Sequence, residues 1–402
     1  MTNERAIINK VTLVFLLSKK GVTTEYLSQK TNYKIEQIQE WLDVKNGELP
    51  TLNQARKIAE VLRVPFASLY MTVETITTLI PTKPNVQNRR IMDAISPDDS
   101  SVNLAIIDLL QARDFYIGTE LLLERAVAKF IIQFNLEDNV KKWADKIRSD
   151  FGIDLDRQYK SQSGRQFYLY LKDRIEEQGI FVQEFIGVDN SAVRAMAICQ
   201  DKNAMHIIGI NKKDCTPAKI FSLIHELVHI IKKTSSICNA MYDKTDLQNR
   251  EEIFCNAVAG EVLTPIEAIN AIIKNDAYDF TKLEDIQKIS KTFSVSREVI
   301  IRRLLDLGYI NKNNYDTLSN LLYEEHIAKK EARRRQEEAG IEKPFRRNIA
   351  REAVDKTSNA LSKAIYAGYC EDVFSKYDVA QILSINLKHI DNYFMEVASW
   401  VK

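Results

Sequence analysis

Apolar residues recur at helical spacing along most of this chain, interrupted by one stretch of short apolar runs of strand length. Near the start, Val11–Leu17 (VTLVFLL) lies between Lys10 and the pair Lys19 and Lys20. It resembles a signal-peptide core, but it has no small-residue cleavage site and runs straight into a polar helical pattern, so it reads as a buried helix. From Thr23 to Tyr70 short helices alternate with tight turns. Thr23 or Thr24 caps EYLSQKT, Lys34–Leu42 (KIEQIQEWL) carries a second apolar stripe, Asn46–Thr51 is a turn, and Leu52–Leu62 is amphipathic. Ile76–Arg90 holds Pro81 and Pro84 with no clear period and reads as a linker, whereas Leu104–Phe134 returns to long helical patterns expected to brace the next domain.

The period changes after Phe167–Gln178, a helix stopped by Gly179. Ile180–Phe185, Ala195–Cys199 and His206–Ile210 are three strand-length runs, and the apolar helix Phe221–Ile231 (FSLIHELVHII) follows them, with Thr216 as its cap and Pro217 in its first turn. Beyond it, Leu283–Ile310 reads as two helices around a turn at Phe293–Val295, either a second helix-turn-helix with Arg297, Arg302 and Arg303 available to phosphates or a helical extension that serves packing. Tyr377–Tyr393 is a helical hairpin with Ala380, Ile382 and Leu383 in its core. The fold class is mostly α with a small β-sheet (α+β). Four parts are expected: residues 1–75, a linker and bracing helices at 76–130, a central domain at 131–275 and a helical C-terminal region at 276–402.

The 402 residues are too many for one core, which fits this division. Lys and Arg number 56 against 55 Asp and Glu, so net charge draws the chain to neither nucleic acid nor an anionic membrane. The dense basic runs, Lys329–Arg335 and Lys343–Arg347, are broken by Glu331 or set among acidic residues and read as solvated helix faces. Five scattered cysteines without a CxxC pair indicate a reducing compartment, and no run reaches membrane-spanning length; a cytoplasmic location is expected.

Chemistry concentrates in FSLIHELVHII. His225 and His229, two of five histidines, are four residues apart and share a helix face. Two imidazoles so placed can bind one Zn²⁺, and Glu226 stands beside them as a general base. Chance would produce this pattern on the order of once in a few hundred such chains. The apolar flanks do not discriminate, since a purely structural helix and an active-site helix are both buried. Two histidines and a glutamate without a partner would, however, be costly there. Glu252, opening the helix Glu251–Leu263, is the expected third ligand, with Glu251 as its rival about 100° round the helix. Asn256, one turn on, is expected to accept the other ring N–H of His225 or His229. Cys255 and Cys238 read as small thiols without a ligand role, and Tyr242 and His206 are the groups considered for oxyanion stabilisation.

HELVH with ExxCNxVAxxVLTP (Glu252–Pro265) beyond it resembles the ImmA/IrrE family of metallopeptidases, whose second signature reads ExxANxFAxxLLxP. Here Cys255, Val258 and Val262 replace the usual alanine, phenylalanine and leucine, and none of these is a ligand position. Residues 1–75 resemble an Xre-type helix-turn-helix domain through Pro50-Thr51, the helix after it and Val64-Pro65. That resemblance presents Lys34–Leu42 to a DNA groove, with Lys34, Gln37 and Gln39 as contacts, or leaves the domain as a protein-docking module. The family resemblance implies a zincin-like domain and cleavage of a protein substrate, a helix-turn-helix repressor or antitoxin. The alternative is a DNA-binding transcriptional regulator with a structural or sensory zinc site.

Overall fold

The computed structural model describes residues 4–45, 47–79, 99–134, 139–199, 205–233, 236–238, 250–275, 278–338 and 347–399. It is α+β, helical apart from one four-stranded sheet. The strands are β1 (Ile180–Phe185), β2 (Ala195–Ile198), β3 (His206–Asn211) and β4 (Ser236–Cys238), arranged β1-β3-β2-β4. β1 and β3 run parallel, with Ile180 opposite His206; β2 runs antiparallel to β3, with Ala195 opposite Ile210, and antiparallel to β4. Alternation along the strands divides the sheet into two buried faces. Ile180, Val182, Ala195, Ala197, Ile208 and Ile210 point to one core, and Phe181, Phe185, Met196, Ile198 and Ile207 to another.

A separate N-terminal core is built by α1 (Lys10–Lys20), α2 (Thr24–Thr31), α3 (Ile35–Leu42), α4 (Leu52–Leu62) and α5 (Val73–Leu79). Thr23 caps α2, and Thr51 with Gln54 forms a capping box on α4. Val11–Leu17 lies in α1 as expected, although Val11 and Val14 are exposed and only one side of the helix is buried. α5 crosses the expected boundary at residue 75, and Ile76 at its centre is fully buried in the N-terminal core. The remainder of the expected linker, residues 80–90, lies outside the described residues.

α6 (Ser100–Leu122) joins this core to the sheet: Leu104 packs into the N-terminal cluster, and Val102, Ala105, Leu109 and Leu110 pack into the second sheet core. The helix ends at Leu122, not near Phe134, and residues 125–134 are non-helical. There the chain presses on Gly179, where an added Cβ would stand 2.5 Å from the backbone nitrogen of Phe130; glycine at φ +84° permits both the helix stop and this crossing.

On the first sheet face lie α7 (Val140–Asp150), α8 (Leu155–Lys160), α9 (Gly164–Glu177), α10 (Thr216–Ile231), α11 (Arg250–Leu263), α12 (Ile266–Asn275), α13 (Leu283–Phe293) and α14 (Arg297–Asp306). The long α15 (Lys312–Glu338) comes next, anchored through Leu318. The opposite face is covered by α6 together with α16 (Ile349–Lys356), α17 (Asn359–Cys370), α18 (Lys376–Leu383) and α19 (Ile390–Ala398). The expected C-terminal region of residues 276–402 is thus divided between the two sides of the sheet. Arg303 pairs with Glu261 on α11 and Arg297 with Glu325 on α15, so these two arginines tie helices together, whereas Arg302 is exposed and pairs with Asp306 one turn on in its own helix. On α15, Lys329, Arg334 and Arg335 pair with glutamates four residues away.

Candidate metal centre

α10 enters the core from a turn organised by Asn211. This fully buried side chain donates to the Val193 carbonyl at 2.7 Å and accepts from the Lys213 N–H at 3.0 Å. Cys215 occupies the capping position without a side-chain bond; Thr216, expected there, is already inside the first turn with Pro217. Between the sheet and α11, Leu223, Ile224, Leu227, Val228 and Ile230 are completely buried, each contributing roughly 1.5–3 kcal/mol through removal of apolar surface from water. The same packing fixes His225, Glu226 and His229, which are 3%, 0% and 2% exposed.

Helical spacing brings the two imidazoles together, with ring centres 4.9 Å apart and Nε2 atoms 3.1 Å apart. α11 then lays Glu252 across both. One carboxylate oxygen is 3.2 Å from His225 Nε2 and the other 3.3 Å from His229 Nε2. Three donor atoms therefore face one point, all within 4.8 Å of one another. Zn–N and Zn–O bonds of about 2.0–2.1 Å in a tetrahedron require donors about 3.3 Å apart. Two neutral imidazoles cannot usefully point both Nε2 lone pairs at one carboxylate; a proton or a metal ion must lie between them. The donor set fits a divalent ion of the zinc type, and two nitrogens with one carboxylate would leave a position for water.

Electrostatics agree with this reading. Burial disfavours the charge on Glu252, but hydrogen bonds and opposite charge from His225 and His229 outweigh it and hold the carboxyl well below the usual range. Burial likewise opposes protonation of His229, yet Cys255, Glu251 and Glu252 together raise its proton affinity well above normal. These groups are arranged to stabilise positive charge at the shared point.

The structure revises the surroundings of the histidines. Asn256, expected to receive an imidazole N–H, makes no hydrogen bond among the described residues. Its α11 position is partly exposed, and the residue just before it faces the ring instead. Cys255 Sγ lies 3.9 Å from His229 Nδ1, and a Glu251 oxygen lies 3.7 Å from the same atom. Glu251, the rival ligand, thus stands behind His229 while Glu252 stands in front, as their angular separation on the helix requires. Cys255 was legible only as a small buried thiol; its contact depends on how α11 crosses α10. Gly260 faces the Cδ of Arg303 on α14, 3.5 Å from where a Cβ would be.

The remaining expected positions lie elsewhere. Lys34, Gln37 and Gln39 are exposed at the start and on the outer face of α3, with Ile38 and Trp41 turned into the N-terminal core. His206 begins β3 with its ring edge-to-face with Phe130, and Tyr242 lies outside the described residues.

No helix among the described residues is long and apolar enough to cross a membrane. No curated protein and no solved structure matches the chain. Residues 175–305, which run from the end of α9 through α14 and contain His225, Glu226, His229 and Glu252, match the family model of the IrrE N-terminal-like domain, peptidase family M78.

Proposed function

We propose that the chain is a zinc-dependent endopeptidase that controls transcription by limited cleavage of a repressor or antitoxin-like protein, in mobile-element, stress or phage-defence regulation. The reading is carried by the 3.1–3.3 Å mutual spacing of the His225, His229 and Glu252 donor atoms, with Glu226 buried on the same helix. Zn²⁺ held there would acidify water and polarise a peptide carbonyl. Glu226 takes the proton from the attacking water and delivers it to the amine nitrogen as the peptide bond breaks. His225 and His229 stay fixed by the packing of α10, and Glu251 and Cys255 hold the far side of the His229 ring. The balanced charge and dispersed cysteines favour a cytoplasmic location; a helix-turn-helix protein as the substrate class is what the resemblance to the ImmA/IrrE family implies.

A second reading, a DNA-binding regulator with a structural or sensory zinc, is favoured by the outward-facing Gln37 and Gln39 beside Lys34 on α3. Glu36 and Glu40, exposed on the same helix, oppose a phosphate backbone there. Purified protein should contain one zinc per chain. Glu226→Gln should keep that zinc and lose cleavage of the helix-turn-helix protein encoded next to it. Zinc-free wild-type protein, or undiminished cleavage by Glu226→Gln, would remove the enzyme reading.

A further inference from the structure

One face of α10 carries a row of three rings. Phe221, His225 and His229 recur every four residues, and because helical side chains lean toward the N-terminus, each ring lies over the turn that holds the one before it. The rings of His225 and His229 are inclined at 61° with centres 4.9 Å apart. Those of Phe221 and His225 lie nearly parallel, at 29° with centres 6.3 Å apart, within the range of an offset aromatic stack. From Ile220 to Ile231 every residue of α10 is buried except Phe221. A phenyl ring is thus left partly in water one turn before an imidazole that is 3% exposed.

The two histidines are held differently. Nδ1 of His229 has Cys255 Sγ at 3.9 Å and a Glu251 oxygen at 3.7 Å. Nδ1 of His225 is buried and has no hydrogen-bond partner among the described residues. Glu252 approaches His225 at Nε2, 3.2 Å away, on the side a metal ion would take. A contact at Nε2 alone leaves the plane of the ring to be set by Nδ1 and by the two faces. A ligand imidazole ordinarily donates its second N–H to an oxygen, which fixes that plane. In His225 the task falls to the rings before and after it, and only Phe221 lies parallel to it.

We propose that Phe221 is a positioning residue for the metal centre: its ring, stacked on His225, holds that imidazole in place, as Cys255 and Glu251 hold His229. The inference rests on the metallopeptidase reading. A cation at Nε2 draws electron density from the imidazole, and the electron-rich face of a phenyl ring favours the ring so polarised. The stack is therefore stronger in the loaded site than in the empty one, and the difference appears as metal affinity.

The test is the zinc affinity of the full chain by chelator competition, with the visible spectrum of the Co²⁺-loaded protein and thermal melting with and without zinc. Phe221→Leu should weaken zinc binding about three- to tenfold and alter the cobalt bands, which report ligand geometry, whereas Phe221→Tyr, which keeps the ring, should match wild type in both. Phe221→Leu should lower Tm more in the zinc-loaded protein than in the metal-free one. Should it fail to fold, Phe221→Met, unbranched and able to fill the same space, carries the test. Affinity and spectrum unchanged without the ring, or an equal loss in Phe221→Tyr, overturns the proposal, as does a Tm lowered as far without zinc as with it. Wild-type protein that binds neither ion overturns the metal reading itself, and this inference with it.

Discussion

The thiol of Cys255 lies 3.9 Å from Nδ1 of His229, on the side of the ring opposite the Nε2 that faces Glu252. With a metal at the proposed site, the second nitrogen of His229 would have to be protonated and held, and Cys255 and Glu251, the latter with an oxygen 3.7 Å away, are the groups that stand beside it. Cys255→Ala should weaken zinc affinity about tenfold and Glu251→Ala between about 10- and 100-fold, the carboxylate being the stronger acceptor. Chelator competition measures this without reference to activity. Unchanged affinity in both variants would show that packing alone fixes the ring.

Arg303 on α14 and Glu261 on α11 form a buried ion pair, their side chains 10% and 7% exposed, and Arg303 also donates to the Thr264 carbonyl at 3.2 Å. Removing one partner leaves an uncompensated buried charge. Arg303→Met should therefore cost about 3–5 kcal/mol, whereas Arg303→Met with Glu261→Leu should recover most of it. Urea denaturation of the four-member cycle gives the coupling directly, and α11 carries Glu252, so zinc affinity should track stability.

At Gly209 α6 packs tightly on the sheet: an added Cβ would stand 2.5 Å from Leu109 Cδ1 and 3.0 Å from Met196 Cγ. Leu109 and Met196 are themselves buried, so Gly209→Ala should cost about 1–3 kcal/mol by overpacking. Adding Leu109→Ala opens space at that contact, and the pair should be less destabilised than the sum of the single changes when measured by thermal melting.

Glu176 at the end of α9 accepts the Val182 N–H at 3.2 Å and the Ala360 N–H at 2.8 Å, joining the sheet to α17. Burial raises its pKa to about 7, against the opposing pull of Lys172 and these hydrogen bonds. The folded state then holds a proton that the unfolded chain has released above about 4.5, so this group lowers stability progressively from about pH 4.5 to 7. Asp279 and Glu325, both lowered to about 2, act in the opposite sense and only at more acid pH. Glu176→Gln should flatten the fall between pH 5 and 7 seen in denaturation midpoints. An identical slope in wild type and variant would assign the titration elsewhere.

Much of the site was readable along the chain because it depends on local periodicity. His225 and His229 share a face in any α-helix. Glu252 and Glu251 diverge by one helical step, so only one of them can point at a given partner. The three main strands and the stop at Gly179 came from runs of apolar residues and from glycine's tolerance of positive φ. Reading failed where the deciding contact is remote in sequence. Asn256 gave way to Cys255 at His229 because the crossing of α11 over α10 sets which residue meets the ring. The helix expected to reach Phe134 ends at Leu122 because residues 128–130 must pass Gly179.

The sequence by itself determined the helices, the donor residues and the apolar faces, since each arises from spacing within one element. Tertiary structure alone decided that α13 and α14 pack beside the helices that carry His225 and Glu252 while α16 to α19 cover the opposite sheet face. A stretch of amphipathic helix specifies that one face will be buried; which surface buries it is set by the whole set of competing apolar faces, and this no local pattern encodes.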